Sequence, residues 1–227
     1  AFQAALEDRD EIAFADFDKY TPSGDKPAAF AASAVTNITG TVVGVLAIEV
    51  PTDEINAIMQ ERAGLGETGE CYLVGPDKLM RSDSYIDSEH RSVAASFANP
   101  EEGLVDTIAT QGALAGRTGK DVIVDYRGEY VLSIYEPLEV FGIRWAAICE
   151  IDVVEAFVPQ NLAGETFYAR YIAQYGYYDL FLINPDGYVY YSVGQEDDYQ
   201  TNLVDGPYRD SNLGQLVQEV LQTQSFG

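Results

Sequence analysis

The sequence predicts an α+β fold made of two modules, each an antiparallel sheet with flanking helices. Two observations carry this. Cys71 to Val74 reads as a strand, Gly75-Pro76-Asp77-Lys78 as a turn, and a second strand starts at Leu79. Pro76 and Asp77 suit the central positions of a type I turn. Tyr178 to Val193 repeats the plan: a strand, a turn at Asn184-Pro185-Asp186-Gly187, and a strand. The second observation is one of spacing. Leu104 and Leu213, each near the start of an apolar helix pattern, both lie 28 residues beyond their proline. An internal repeat of this kind sets the architecture before any single element does.

In chain order, residues 1–10 are a short polar helix or lead-in. Ile12–Phe17, Ala28–Val35 and Thr41–Val50 are strand candidates, bounded by Thr21-Pro22-Ser23-Gly24-Asp25, Gly40 and Pro51. The third is apolar almost throughout, which predicts a central strand covered on both faces. Asp53–Arg62 places Ile55, Ile58, Met59 and Arg62 at helical spacing and stops before Gly64. After the first hairpin comes a polar loop through His90. A short helix follows over Leu104–Leu114, then strands at Asp121–Tyr126, Tyr130–Pro137 and Ile143–Ile151. The last strand alternates, with Ile143, Trp145, Ala147, Cys149 and Ile151 on one face. Residues 158–164 read as a linker. Phe167, Tyr168, Tyr171, Ile172 and Tyr175 share one helix face. Leu213, Leu216, Val217, Val220 and Leu221 form an apolar stripe, with Asp210 or Ser211 as N-cap.

The first repeat is complete over residues 71–152: hairpin, helix, three strands. The second has its hairpin and helix, residues 178–221, and then the chain stops. Three strands of the missing kind lie at the other end, where Ala15-Asp16-Phe17 resembles Val124-Asp125-Tyr126. A sheet lacking three strands would expose edges and core. The expected division is therefore residues 1–62 plus 165–227 as one module split across the chain ends, 63–157 as the other, and 158–164 between them. Gly227 and Ala1 are then expected to lie close in space. A circular permutation is favoured, with an exchange of halves between neighbouring molecules as the alternative.

Charge narrows the partners. Thirteen Lys and Arg against 37 Asp and Glu give a net charge of -24, while 47% of residues are hydrophobic and can fill a core. Such a surface repels nucleic acid phosphates and anionic lipid heads, so neither is an expected partner. It favours solubility, and secondarily a field that gathers cations. No apolar run reaches the ~18 residues a membrane span needs. No initiating Met or signal peptide is visible, which reads as a trimmed, soluble chain. Cys71 and Cys149 both fall in strand candidates and read first as buried free thiols.

Several stretches resemble the double Cache sensor domains found outside the cytoplasm in methyl-accepting chemoreceptors and sensor kinases. GLGETGECYLVGPDKLMRSDS, DYRGEYVLSIYEPL and WAAICEIDVVEAF look like the membrane-proximal module. GYYDLFLINPDGYVYYSV and DYQTNLVDGPYRDSNLGQLV look like the membrane-distal one, and DFDKYTPSGDKPAAF like its second half. The resemblance implies two PAS-like five-stranded antiparallel sheets, a periplasmic or extracellular location in a membrane-anchored parent, and an oxidising compartment in which a disulfide persists. In the family the distal hairpin precedes the DFDKYTPS segment; here it follows. The family also continues into a membrane span after the equivalent of Glu155-Ala156-Phe157, where this chain runs on as VPQNLAGE. Signalling across a bilayer is therefore not expected of this polypeptide by itself.

Gly64, Gly66 and Gly69 match G-x-G-x-x-G, but a helix precedes and a strand follows, the reverse of a dinucleotide loop, so the segment reads as a connector. His90, the only histidine, has no nucleophile elbow to serve and reads as a surface residue. Zinc spacing is absent, and Glu196-Asp197-Asp198 reads as a solvated acidic turn without an EF-hand loop. Asn37-Ile38-Thr39 matches a glycosylation sequon that carries no weight in a bacterial sensor. No catalytic residue, metal site or cofactor is expected. Tyrosines cluster in the last third of the chain, and tyrosine suits a small-molecule pocket. By resemblance, the ligand sits between the loop before the last helix and the distal sheet. The expected wall is Tyr199, Tyr208 and Asp210 from the loop, with Asp16, Asp18, Phe30 and Ser33 from the sheet. The acidic members would suit an ammonium group. The expected partner is a small amino acid, amine or carboxylate, and a homodimer is possible. The competing readings are a permuted domain without ligand function and an enzyme.

Overall fold

The computed structural model describes residues 12–223; the lead-in at 1–10 and the juxtaposition of Ala1 with Gly227 lie outside them. The chain divides into two compact units, Ala1–Ile151 and Asp152–Gly227.

In the first unit, β1 (Ala13–Tyr20), β2 (Lys26–Thr36) and β3 (Val42–Glu49) form an antiparallel sheet in that order. Helix α1 (Thr52–Met59) follows. A second sheet has the order β4-β7-β6-β5, with β4 at Glu70–Val74, β5 at Gly119–Val124, β6 at Tyr130–Val140 and β7 at Ile143–Asp152. A bridge from Met80 to Val74 extends it beyond β4. Between β4 and β5 run α2 (Ser88–Arg91), α3 (Val93–Ala98), α4 (Pro100–Gly103) and α5 (Ile108–Leu114). Tyr72, Val74, Met80, Val105, Ala109, Ala113, Val131, Ala146 and Ile148 form the core between the sheet and these helices. A Cβ on Gly112 would stand 2.5 Å from the Tyr135 ring, so glycine is what lets α5 settle on β6. On the opposite face of β7, Trp145 meets Phe14 and Phe17 of β1, with ring centroids 6.1 and 6.2 Å away.

The second unit contains α6 (Val153–Phe157), α7 (Phe167–Tyr175), a hairpin of β8 (Phe181–Ile183) and β9 (Val189–Ser192), and α8 (Asn212–Thr223). Val189, Leu203 and Val217 are its core, with Phe181, Ile183, Tyr199, Tyr208, Leu213 and Leu221 packed around them. Ser211 caps α8 by accepting from the Gly214 amide at 3.0 Å.

The α+β class is met, and both hairpin turns share one geometry. Lys78 and Gly187 donate to the carbonyls of Gly75 and Asn184 at 2.9 and 3.0 Å. Both have positive φ, 65° and 95°. Other expectations change. The helix expected from Leu104 begins at Ile108, because the Thr107 hydroxyl caps it by accepting from the Thr110 amide. The polar loop before it holds three short helices. The second strand expected from Leu79 is one bridge at Met80. The apolar third strand, expected to be central, is the edge of its sheet, with Val43, Leu46 and Ile48 64%, 63% and 59% exposed. Among the described residues the sheet expected to combine Ile12–Val50 with the second hairpin is instead two, one of three strands and one of two. β1 sends Phe14, Asp16 and Phe17 onto Trp145 and Arg81, which ties its sheet to the β4–β7 module. Cys71 and Cys149 are not free thiols; as direct register partners on β4 and β7 they form a disulfide.

Candidate functional site

In the second unit, β8 and β9 are closed at their open end by Asp179. Its Oδ1 accepts from the amides of Leu180, Val193 and Gly194 at 2.6, 2.9 and 2.9 Å. Its Oδ2 is buried without a hydrogen-bond partner. Beyond β9 the chain turns at Gln195, where φ is 49°, through Glu196-Asp197-Asp198 and then runs back along β9. The Val189 amide donates to Thr201 and the Leu203 amide to Gly187 at 2.9 and 2.8 Å. This return brings Glu196, Asp197 and Asp198 against Tyr208, Ser211, Asn212 and Leu213 at the start of α8. Together they line a cleft of about 600 Å³. Asp198 Oδ1 is buried and unpartnered. Burial raises the Asp198 carboxyl above its usual range, and the charges of Glu196, Asp179 and Asp197 push the same way. The Tyr178 hydroxyl donates to Glu196 at 2.5 Å, and that bond holds its own proton more tightly. A second cleft of about 360 Å³, lined by Leu180, Phe181, Ile183, Leu216, Val217 and Val220, also reaches Asp179 and Leu213.

The arrangement is an acidic mouth beside an apolar groove. Two carboxylate oxygens withdrawn from water and lacking donors favour a cationic donor group.

No protein-family model matches the chain, and no curated protein matches it. Solved structures are similar to it. The periplasmic sensory domain of the Campylobacter jejuni chemoreceptor Tlp1 has 16% identity and a TM-score of 0.49, over 70% of this chain and 56% of that one. The ligand-binding domain of the Pseudomonas fluorescens chemoreceptor CtaA, in complex with L-serine, has 13% identity and a TM-score of 0.42, over 66% and 59%. That of the Pseudomonas aeruginosa amino acid chemoreceptor PctB, in complex with L-arginine, has 14% and 0.44, over 70% and 62%. The chain spans less than two thirds of the length of each.

Of the residues expected from sequence, Tyr208 lines the acidic cleft and Tyr199 packs beside the core beneath it. Asp210 points to solvent, 3.6 Å from Arg209. The four sheet residues lie in the first unit and are not one wall. Asp16 gives both oxygens to Arg81 at 2.8 Å, and the Trp145 indole donates to it at 3.3 Å. Asp18 is exposed and accepts from the Lys19 amide. Phe30 packs on Tyr20 with centroids 5.0 Å apart. Ser33 stands three residues further along an unbroken stretch of β2, hence on the other face. Sequence reading does not single out Asp179 and reads the Glu196–Asp198 run as a solvated acidic turn, whereas the run lines the cleft. Three acids in succession between aromatic-rich segments were the available signal.

The other motifs have structural partners. Arg62 donates to the carbonyls of Gly66, Glu67 and Gly69, so the glycine-rich segment wraps a cation rather than presenting amides to a phosphate. The exposed His90 ring pairs with Asp87 at 2.8 Å, and Asp87 also holds Arg91. Among the described residues no group of three or more His, Cys, Asp or Glu is placed to hold a metal ion, and no helix is long and apolar enough to cross a membrane.

Proposed function

We propose that this chain is a sensory domain of the double Cache type, and that its second unit binds a small organic amine or amino acid. The reading is non-catalytic: occupancy would favour one arrangement of hairpin and helix, and the differential affinity would be the signal. One observation carries it. The buried, unpartnered oxygens of Asp179 and Asp198 lie beside an acidic cleft that adjoins an apolar groove. An ammonium would take the carboxylates, Tyr208 would offer a ring face, and an apolar substituent would lie along Phe181, Ile183 and Leu213. The motif resemblance supports the same class. So does the repeat: β8, β9 and α8 follow the plan of β4, Met80 and α5, and β1–β3 are three strands of the kind that follow α5. The sheet residues Asp18, Phe30 and Ser33 and the loop acid Asp210 stand outside this cleft, and Asp16 serves Arg81.

The test is a thermal-shift and calorimetric screen of amino acids, amines and carboxylates. A saturable shift from an amine, without turnover, and a loss of at least about tenfold in affinity in Asp198→Asn is the expected result; tenfold corresponds to ~1.4 kcal/mol. Unchanged affinity in both Asp198→Asn and Tyr208→Ala rules the cleft out.

A further inference from the structure

On the sheet face that packs against α5, two glutamates sit side by side. Glu70 on β4 and Glu150 on β7 are direct register partners, one position from the Cys71–Cys149 pair. Partners in antiparallel strands point to the same face. Both are buried, Glu70 3% and Glu150 4% exposed. Their surroundings differ. Glu70 accepts from the Ser84 hydroxyl at 2.8 Å, the Tyr85 amide at 2.9 Å, the Ile86 amide at 3.3 Å and the Tyr126 hydroxyl. Four donors make an environment for a charged carboxylate. Glu150 accepts from the Tyr72 hydroxyl at 2.8 Å through Oε2. Its Oε1 has no partner. The hydroxyl of Ser133, fully buried on β6, makes no well-aligned bond but stands close enough to Glu150 to favour its ionised form, as the Tyr72 bond does.

A second negative charge here would have no cation of its own. From the β5–β6 turn, Asp125 faces Glu150, but Arg127 binds Asp125 at 2.6 Å. On α2, Arg91 lies over the Tyr126 ring with its charge at 4.5 Å and pairs with Asp87 at 2.5 Å. From β4 come Glu70 and the neutral Tyr72, from β6 Ser133. Two adjacent buried carboxyls in such unequal settings separate into one ionised and one protonated.

We propose that Glu150 is a proton-binding site in the β4–β7 module. The proton removes a buried charge that neighbours Glu70 and Asp125 and has no cation of its own. The ligand is the proton, taken from and returned to solvent as the medium crosses neutrality, so the module reports ambient pH. Burial raises the Glu150 carboxyl from 4.5 to about 7, with Asp125 and Glu70 adding to it. The sign follows: the folded chain holds this proton where the unfolded chain has lost it, so stability falls as pH rises from about 4.5 through about 7. This inference is independent of the amine cleft and survives its failure.

The experiment is infrared difference spectroscopy of the whole chain, wild type minus Glu150→Gln, through a pH titration. A protonated-carboxyl band that disappears with a midpoint near 7 is expected. Glutamine imitates the protonated group, so the melting temperature of wild type should fall relative to the variant across the same window. Tyr72→Phe removes a donor to the ionised form and should move the midpoint upward, a shift that packing loss alone does not produce. If Glu150→Gln does not fold, the band is followed in wild type against Tyr72→Phe. No protonated-carboxyl band at pH 6, or parallel melting curves for wild type and Glu150→Gln, overturns the proposal.

Discussion

Removing the carboxylate of Asp16 is expected to destabilise the first unit severely. Arg81 is 2% exposed and donates two bonds of 2.8 Å to Asp16. It lies among the rings of Phe97, Phe17 and Trp145, with its charge 5.3 to 6.0 Å from their centroids. Breaking a buried pair from one side typically costs about 3–5 kcal/mol, because the remaining charge stays out of water. Here Asp77 at 3.0 Å and the carbonyl of Leu79 at 3.1 Å still receive the guanidinium. Asp77 is 41% exposed, so its share is screened. Asp16→Asn should therefore cost about 3 kcal/mol, near the low end of that range, or roughly 6–12 °C in Tm for a chain of this size. Urea unfolding followed by Trp145 fluorescence reads this directly, since that indole, the chain's only tryptophan, donates to Asp16. The Arg81→Met background supplies the control: Asp16→Asn should cost little there. A loss below about 1 kcal/mol, the range of exposed pairs, or an equal loss in both backgrounds, refutes the coupling.

Two further outcomes follow from the fold. The Cys71–Cys149 link closes a separation of 78 residues, which in the chain-entropy description contributes about 4.5 kcal/mol, so a Cys71→Ala, Cys149→Ala chain should unfold at markedly lower urea; an unchanged midpoint contradicts it. Gly187→Ala should destabilise the second hairpin by roughly 1–3 kcal/mol, because φ is 95° and the new Cβ would meet Val204 Cγ2 at 2.4 Å; a neutral effect by calorimetry contradicts the turn geometry.

The hairpin turns were legible because proline and aspartate specify them locally, and positive φ at Lys78 and Gly187 completes the same turn twice. The α8 stripe was legible because its period is intrinsic to the helix. Pairing was not. Val42–Glu49 is apolar enough for a central strand, yet nothing within a strand states which of its edges acquires a neighbour. Cys71 and Cys149 were correctly assigned to strands, but their union depends on a register set 78 residues apart. Asp16 looked like a pocket acid because Arg81, 65 residues away, is invisible from its surroundings in sequence. Glu150 was lost to alternation itself. Ile143, Trp145 and Ala147 marked one face as the inner one, while in a strand covered on both sides Ala146, Ile148 and Glu150 are equally inside. In the second unit the tyrosines drew attention and the acids beside them did not, since three consecutive carboxylates ordinarily mean a wet turn.

The sulfur bridge has a mechanical consequence for the glutamate beside it. Because Cys71 and Cys149 are riveted together, β4 and β7 cannot spread apart when Glu150 becomes charged against Glu70. The repulsion would fall on the groups that hold Glu70, the amides of Tyr85 and Ile86 and the hydroxyls of Ser84 and Tyr126. An acid-to-neutral transition in this module would thus be read at its rim, with the sheet itself as the fixed anvil.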